Sequence, residues 1–318
     1  MRGVEDVLSI KKAHYSDKKV FPNSRGVSEM EISKKGEDLI ISGQDSFELS
    51  HIFDCGQCFR WKENPDKSFT GVAFGKVLTI SENDGIITLK NTSAEDFESI
   101  WRQYFDLDTD YSLIKQKLSS DNVLKNAIGY GEGIRILRQD LWECVVSFII
   151  SASNNIPRIK KIIDSLCRNF GEKIEYMGNE YFTFPSPEKI YSLNLEDLGI
   201  IKAGFRDKYI MDAAEKFSSG EISWDKLKKL STADAKAALM TIKGVGNKVA
   251  DCILLFGLSR CESFPVDVWI KRIMEYCYFD NKQTIGNISL FSKEKFSDLG
   301  GYAQQYLFFY ARENKIGF

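Results

Sequence analysis

The most chemically suggestive residue of the sequence is a lysine in the first turn of an apolar helix. Lys248 follows the segment Gly244-Val245-Gly246 and precedes a largely apolar run that ends at Leu258. Burial among apolar neighbours and the positive end of the helix dipole both disfavour an ammonium there and favour the free amine. A free amine is the nucleophile of Schiff-base chemistry. The alternative is a lysine that extends to solvent and meets a phosphate through its charge alone.

Asp267 is the candidate partner of this lysine. It precedes a new predicted helix, so helix capping alone would explain its presence. The predicted helix 247–258 is about 18 Å long at ~1.5 Å per residue, and the segment 259–267 can span up to about 30 Å. The chain can therefore return Asp267 to Lys248. A carboxylate at that place could activate the amine and stabilise a developing cation.

The glycines before Lys248 predict a tight turn between two helices, 234–240 and 247–258. Gly244 and Gly246 permit positive φ angles and a close approach of backbone to a ligand. The N–H groups of such a turn and the N-terminus of the following helix form an anion site that suits a DNA phosphate. The pattern is that of a helix-hairpin-helix, and its alternative is a plain helical hairpin with a glycine turn.

The elements that must position these residues fall into two parts and predict an α+β fold. From Ser93, an expected N-cap, helical patterns continue almost to the end, and 142–150 predicts a buried central helix. We expect an N-terminal extension of unknown role (1–27), an antiparallel β-rich domain with flanking helices (28–125), and a helical domain (126–318) with the hairpin at about 234–258. The predicted strands are 38–42, 58–62, 69–74, 77–80 and 86–89.

Composition narrows the class of protein. The 318 residues carry a formal net charge of −2, so a protein that coats polyanions with its whole surface is excluded, whereas a local basic patch is not. Two histidines argue against histidine-centred catalysis, and the seven cysteines are expected as free thiols of a reducing compartment. No apolar run is long enough to span a membrane. Cys55 and Cys58 lie in a strand pattern without a second cysteine pair, which argues against a zinc or redox site.

Several motifs together resemble one family, the 8-oxoguanine DNA glycosylases of the helix-hairpin-helix (HhH-GPD) superfamily. The likeness runs from about His51 to Ala311. It is carried by the segments 55–61 (CGQCFRW), 137–144 (LRQDLWEC), 147–158 (SFIISASNNIPR), 204–206 (GFR), 244–252 (GVGNKVADC), 265–268 (PVDV) and 301–308 (GYAQQYLF).

The resemblance implies a bifunctional enzyme that acts on double-stranded DNA containing 8-oxoguanine. Lys248 would attack C1′ of a flipped nucleotide and displace the base, and the resulting Schiff base would lead to β-elimination, with Asp267 as the catalytic aspartate. No cofactor is implied, and a monomer is expected. The location would be cytoplasmic, or nuclear in a eukaryote.

The resemblance also assigns a base pocket. Oxidation at C8 turns N7 of guanine from an acceptor into a donor, and Gly56 matches the residue whose carbonyl accepts from it. Gln304 matches the amide that reads the Watson–Crick edge. Cys252 and Phe308 match the two walls between which the base stacks, although core packing explains both equally well.

Further matches concern the DNA around the lesion. Asn154, Arg158 and Arg206 match residues that hold the base opposite the lesion, and Phe205 matches an intercalating wedge. Helix capping and solvation are their alternatives. Trp269 stands where the eukaryotic pattern has a phosphate-contacting histidine, and Ser153 where it has another asparagine, which leaves the preference for an opposite cytosine open.

A metal is not required by the resemblance, which only suggests a monovalent cation at the turn. The carbonyl groups of Met240, Ile242 and Val245 are the expected ligands. The related iron–sulfur glycosylases carry four clustered cysteines near the C-terminus, and only Cys252, Cys261 and Cys277 lie late in this chain, so no cluster is expected.

Two other functions remain open from the sequence. One is a glycosylase for alkylated bases that uses Asp267 without a nucleophilic lysine. The other is a DNA-binding module that uses the hairpin for phosphate contacts and has no catalytic activity.

Overall fold

A seven-stranded antiparallel sheet forms the N-terminal part of the protein. The computed structural model describes residues 19–20 and 30–316. The strands are β1 (Lys19–Val20), β2 (Glu31–Lys35), β3 (Asp38–Ser42), β4 (Trp61–Glu63), β5 (Phe69–Ala73), β6 (Lys76–Asn83) and β7 (Ile86–Lys90). They lie in the order β1-β2-β3-β7-β6-β5-β4.

The alternation of apolar residues along these strands explains how the sheet packs. In β3, Leu39 and Ile41 are buried and pair with Leu89 and Ile87 of β7, so one face of the sheet carries a continuous apolar surface. This face packs against the short helix α1 (Leu49–Phe53) and the helical segment 94–104 to form a core of its own.

One predicted strand begins later than the sequence pattern indicates. The predicted strand 58–62 was placed too early, because β4 begins at Trp61, and the prediction that the Cys55–Cys58 motif lies in a strand was wrong. Both cysteines lie in the turn after α1. The strand β2 was not predicted, and the proposed extension 1–27 lies outside the described residues except for β1.

Helices make up most of the chain after β7, which confirms the α+β class. They are α1 (Leu49–Phe53), α2 (Ala94–Asp96), α3 (Arg102–Tyr104), α4 (Tyr111–Leu118), α5 (Asn122–Tyr130), α6 (Leu141–Ser151), α7 (Ile156–Phe170), α8 (Pro187–Tyr191), α9 (Leu195–Leu198), α10 (Asp207–Ser218), α11 (Trp224–Leu227), α12 (Thr232–Leu239), α13 (Asn247–Gly257), α14 (Val268–Tyr278), α15 (Ile285–Phe296) and α16 (Gly300–Glu313). A π-helical turn, Phe97–Trp101, joins α2 to α3, and the hairpin β8 (Lys173–Tyr176) and β9 (Asn179–Phe182) follows α7.

The centre of the helical part is α6, in which nine of the eleven residues are buried and only Glu143 and Ser151 are partly exposed. It packs against α13, which is apolar from Ile253 to Phe256. Ser93 caps α2 as predicted, since its hydroxyl accepts from the Asp96 N–H at 3.0 Å. Among the described residues, no helix has the length and apolar character needed to cross a bilayer.

A buried glutamine ties the two parts together. The Gln57 side chain is fully buried, and its Nε2 donates to the Ile52 and Arg135 carbonyls, both at 2.8 Å. Its Oε1 accepts from the Leu137 N–H at 2.8 Å. A fully satisfied buried amide fixes the backbone around it. The turn that carries Gly56 is therefore held against the segment before α6.

The predicted helical hairpin is present as α12 and α13. Gly244 in its turn has φ +84°, and a Cβ there would lie 2.4 Å from Cδ2 of Tyr209. The Lys243 N–H donates to the Asp212 carboxylate at 2.9 Å. The turn is thus seated on α10, and only glycine fits at 244.

The first prediction concerns this turn. We expect Gly244→Ala to lower the free energy of unfolding by about 2–4 kcal/mol, because it adds both left-handed strain and an overlap with Tyr209. Gly246→Ala is the matched control, since its φ is −94° and nothing lies within 4 Å of the added carbon. It should cost about 1 kcal/mol or less. Urea unfolding of both variants measures the difference, and equal stability would contradict the seating of the turn.

Candidate active site

The Lys248 amine lies against an aromatic surface. Lys248 is the second residue of α13 and is half-buried. Its Nζ lies 5.2 Å from the centroid of the Phe148 ring of α6. That ring stacks on Phe256 at 5.4 Å with an interplanar angle of 12°. The packing of α6 on α13 therefore sets the position of the amine.

Cys252 lies one helical turn after Lys248 and on the same face. Its side chain is 3% exposed, and burial raises the pKa of the thiol to about 11, while the charge and hydrogen bond of Lys248 oppose that rise. Cys252 is therefore a neutral thiol at physiological pH, in direct contact with the amine.

Asp267 returns to Lys248, as the reach of the chain allows. It is the N-cap of α14, where Oδ1 accepts from the Ile270 N–H at 2.8 Å. Burial raises the pKa of this carboxyl group, and the Ile270 N–H and the charge of Lys248 counteract the rise. Asp267 thus caps α14 and also lies within the electrostatic influence of Lys248.

The expected base-pocket residues come together in two groups. Gly56 has φ +77°, and a Cβ on it would lie 3.0 Å from Cε1 of Phe308. The Phe308 ring is therefore in contact with the turn that carries Gly56. Gln304 is buried on the same helix as Phe308, and its Oε1 accepts from Nε2 of Gln305 at 3.0 Å. The second group is Cys252 with Lys248.

Two aromatic residues make contact beneath Lys248, and sequence reasoning missed both. Phe59, three residues after Gly56, makes an edge contact with Phe148 at 5.9 Å between ring centroids. Phe148 in turn lies under Lys248. Phe148 stands in an apolar run and Phe59 between Cys58 and Arg60, so no local signal separates either from an ordinary core residue.

The residues expected at the opposite base lie between α6, α7 and α10. Asn154 donates from Nδ2 to the Ile150 carbonyl at 3.0 Å and so caps the end of α6. Arg158 is exposed in the first turn of α7. Phe205 is 57% exposed, an uncommon exposure for such a ring and one that suits a wedge.

From the sequence, the Arg206 guanidinium was expected to contact the edges of DNA bases. The structure places it inside the protein instead. Its side chain is only 3% exposed. It donates to the carbonyls of Ala152, Ala203 and Ser153, and its guanidinium stacks on Phe205 at 4.4 Å. It therefore braces the loop after α6 and packs on the exposed ring of Phe205. Burial, and then the charge of Arg158, lower its pKa.

Other expected DNA contacts lie at the two helix N-termini. Gly246 is the exposed N-cap of α13. Trp269 is half-buried in the first turn of α14, 5.9 Å from the Arg272 guanidinium. In the turn, the Ile242 carbonyl accepts from the Val245 N–H at 3.0 Å, while Met240 is exposed. The cation site at these carbonyls stays a prediction.

The cysteines are unpaired thiols. Cys55 donates to the Ile52 carbonyl at 3.3 Å, and burial raises its pKa to about 12. Five of the seven are buried, while Cys261 and Cys277 are half-buried. Within residues 19–20 and 30–316, no three or more His, Cys, Asp and Glu side chains are grouped to hold a metal ion.

Comparison with known proteins identifies the two parts separately. Residues 39–145 match the family described as the 8-oxoguanine DNA glycosylase N-terminal domain. Residues 146–297 match the HhH-GPD superfamily of base excision DNA repair proteins.

Similar proteins span most of the chain. A solved structure of MBOgg1 with a low-affinity DNA ligand is 49% identical, with a TM-score of 0.89, and covers 90% of this chain and 99% of that one. The Clostridium acetobutylicum 8-oxoguanine glycosylase/lyase bound to DNA is 42% identical, with a TM-score of 0.87, and covers 90% and 98%. The N-glycosylase/DNA lyase of Saccharomyces cerevisiae is 32% identical over 72% of this chain and 68% of its own length.

These matches agree with the hairpin, the lysine and the aspartate that the structure brings together, and the chain belongs to the 8-oxoguanine DNA glycosylases of the HhH-GPD superfamily.

Proposed function

We propose that this protein excises 8-oxoguanine from double-stranded DNA and then cleaves the strand, with Lys248 as the nucleophile and Asp267 as the supporting carboxylate. The observation that carries the proposal is the position of the Lys248 amine, against the face of Phe148 and close enough to Asp267 to influence its pKa. An amine and a carboxylate in a partly buried site interact more strongly than they would in water.

The relatives support the substrate and the reaction. The Clostridium acetobutylicum structure contains double-stranded DNA with cytosine opposite 8-oxoguanine. The relatives from Saccharomyces cerevisiae and Arabidopsis thaliana are N-glycosylase/DNA lyases. A DNA substrate and the unpaired cysteines favour a location in the cytoplasm, or in the nucleus of a eukaryote. One chain carries every residue that the reaction needs, which is compatible with a monomer.

The first chemical step exchanges one bond at the sugar for another. The Lys248 Nζ forms a bond to C1′ while the bond from C1′ to N9 breaks, and the base leaves with the electron pair. Positive charge develops on the sugar ring, and the Asp267 carboxylate stabilises it. Because C1′ is inaccessible inside a stacked duplex, the nucleotide must first be flipped out.

The second step uses the same lysine. Loss of a proton from the nitrogen and opening of the sugar ring give an imine between Nζ and C1′. The imine acidifies the protons on C2′, and removal of one of them expels the 3′ phosphate by β-elimination. Hydrolysis of the imine then returns the free amine.

Recognition of the oxidised base would rest on the two pocket groups. The Gly56 carbonyl accepts from N7–H of the lesion and repels the N7 lone pair of normal guanine. Gln305 holds the Gln304 amide by its oxygen, so the direction of this amide is set before the base arrives. Cys252, as a neutral thiol, and Phe308 would stack on the two faces of the base.

The opposite strand would be held by the loop that Arg206 braces. Phe205 would fill the space that the flipped nucleotide leaves, and Arg158 and Asn154 would contact the unpaired base. In the free protein the Asn154 amide is engaged with the end of α6, so it would have to exchange this hydrogen bond for the base.

The second prediction tests the nucleophile. Lys248→Gln should lower both base excision and strand cleavage at least about a thousandfold, because it removes the atom that forms the covalent bond. Gel assays on duplex DNA with 8-oxoguanine measure both steps. The control is Lys216→Gln, which removes only a surface pair with Glu221. Excision of 8-oxoguanine that survives in Lys248→Gln would contradict Lys248 as the nucleophile.

The third prediction concerns the carboxylate. Asp267→Asn keeps a capping oxygen for α14 but removes the negative charge. We expect the variant to bind lesion DNA with nearly unchanged affinity and to lose most excision activity, about a hundredfold or more, because the developing cation loses its partner. Single-turnover excision and DNA binding are measured on the same preparation. Wild-type excision rates in this variant would leave Asp267 with a capping role alone.

A further inference from the structure

We propose that Arg312 is a positioning residue of the base pocket that fixes the turn around Gly56 and the ring of Phe308 at the same time. The inference rests on the proposed function, because it assigns a task within the same pocket. No motif of the sequence singles out this arginine, which follows the segment 301–308 by one turn of α16.

The contacts of Arg312 reach both parts of the pocket wall. Its Nη2 donates to the Asp54 carbonyl in the turn before Gly56. Its guanidinium lies 5.6 Å from the Phe308 ring centroid and 5.8 Å from that of Phe309. On the outer side, its Nε donates to the Glu313 carboxylate at 2.9 Å. The side chain is 18% exposed, so most of it is withdrawn from water.

The remaining guanidinium nitrogen points into the protein. Nη1 is buried and has no hydrogen-bond partner among the described residues. It lies 3.8 Å from the place that a Cβ of Gly56 would occupy, while Cε1 of Phe308 lies 3.0 Å from that place. A buried donor without an acceptor is costly unless aromatic faces replace the lost solvent. The two phenylalanine rings provide these faces.

The charge of Arg312 is also felt within the turn. Burial raises the pKa of Cys55, and Arg312 is the largest influence that opposes this rise. The arginine is therefore coupled electrostatically to the residue directly before Gly56 as well as by the hydrogen bond to Asp54.

Arg312 completes a pair of anchors on either side of Gly56. Gln57 holds the turn to the segment before α6, and Arg312 holds it to α16 through Asp54. The Gly56 carbonyl must meet N7 of the lesion at hydrogen-bond distance, and displacements of about 1 Å are enough to impair a positioned contact. With one anchor missing, the carbonyl and the Phe308 wall would lose their fixed separation.

Cleavage at a preformed abasic site distinguishes a positioning role in the base pocket from a general effect on folding or DNA binding. An abasic site has no base, so the Gly56 carbonyl and the Phe308 wall contribute nothing to it, whereas Lys248 and the DNA-binding surface are still required. A positioning residue of the base pocket must therefore affect 8-oxoguanine excision and leave abasic-site cleavage unchanged.

The fourth prediction applies this comparison to Arg312→Met. We expect kcat/KM for 8-oxoguanine excision to fall about tenfold or more, while cleavage of a preformed abasic site stays within about twofold of wild type. Arg168→Met is the matched control, since this arginine also lies over a ring, Phe182 at 5.4 Å, and pairs with Asp164 at 2.8 Å. It touches neither Asp54 nor Phe308 and should leave the ratio of the two activities unchanged.

Two results would overturn the inference: an equal loss of both activities in Arg312→Met, and a loss of neither. Should Arg312→Met fail to fold, Arg312→Lys supplies the comparison, because it keeps the charge near Phe308 and removes the planar fork. It is expected to show a smaller loss, again confined to excision, and the same two results would overturn the inference. A wild-type protein inactive on both substrates would instead contradict the proposed function.

Discussion

The contact between the Lys248 amine and its partly apolar surroundings is the interaction on which the rest of the site depends. Here it lies over the Phe148 ring, in contact with a neutral thiol and within the field of a carboxylate. In the proposed reaction, this site combines a nucleophile with a stabiliser for the cation that the attack creates.

The fold brings segments that are distant in sequence close to this amine. The helical hairpin places Lys248 at a helix N-terminus beside a backbone turn that can approach phosphate. The cap of α14 fixes Asp267. The turn around Gly56 belongs to the N-terminal part of the chain, and buried hydrogen bonds of the Gln57 side chain hold it against the helical part. Phe59, three residues after Gly56, makes an edge contact with the Phe148 ring beneath the lysine.

Much of this arrangement could be predicted from sequence because periodicity and turn residues are local signals. The hairpin helices, the central helix α6 and most strands follow from them. The error at Cys58 arose because an apolar and aromatic run looks like a strand whether or not it pairs with one. Arg206 was expected to be free for DNA because hydrogen bonds to carbonyls of the loop 152–153, far away in sequence, leave no local trace. Phe148 and Arg312 were not singled out from the sequence for the same reason.

The most direct test of the central claim is to map the covalent intermediate. Borohydride reduction during the reaction with 8-oxoguanine DNA should trap an amine linked to the sugar, and mass spectrometry of the digested adduct identifies the linked residue. The account predicts that the sugar remnant is carried by the peptide that contains Lys248, on that side chain alone. A remnant on another lysine or on the N-terminal amine, with Lys248 unmodified, would contradict it.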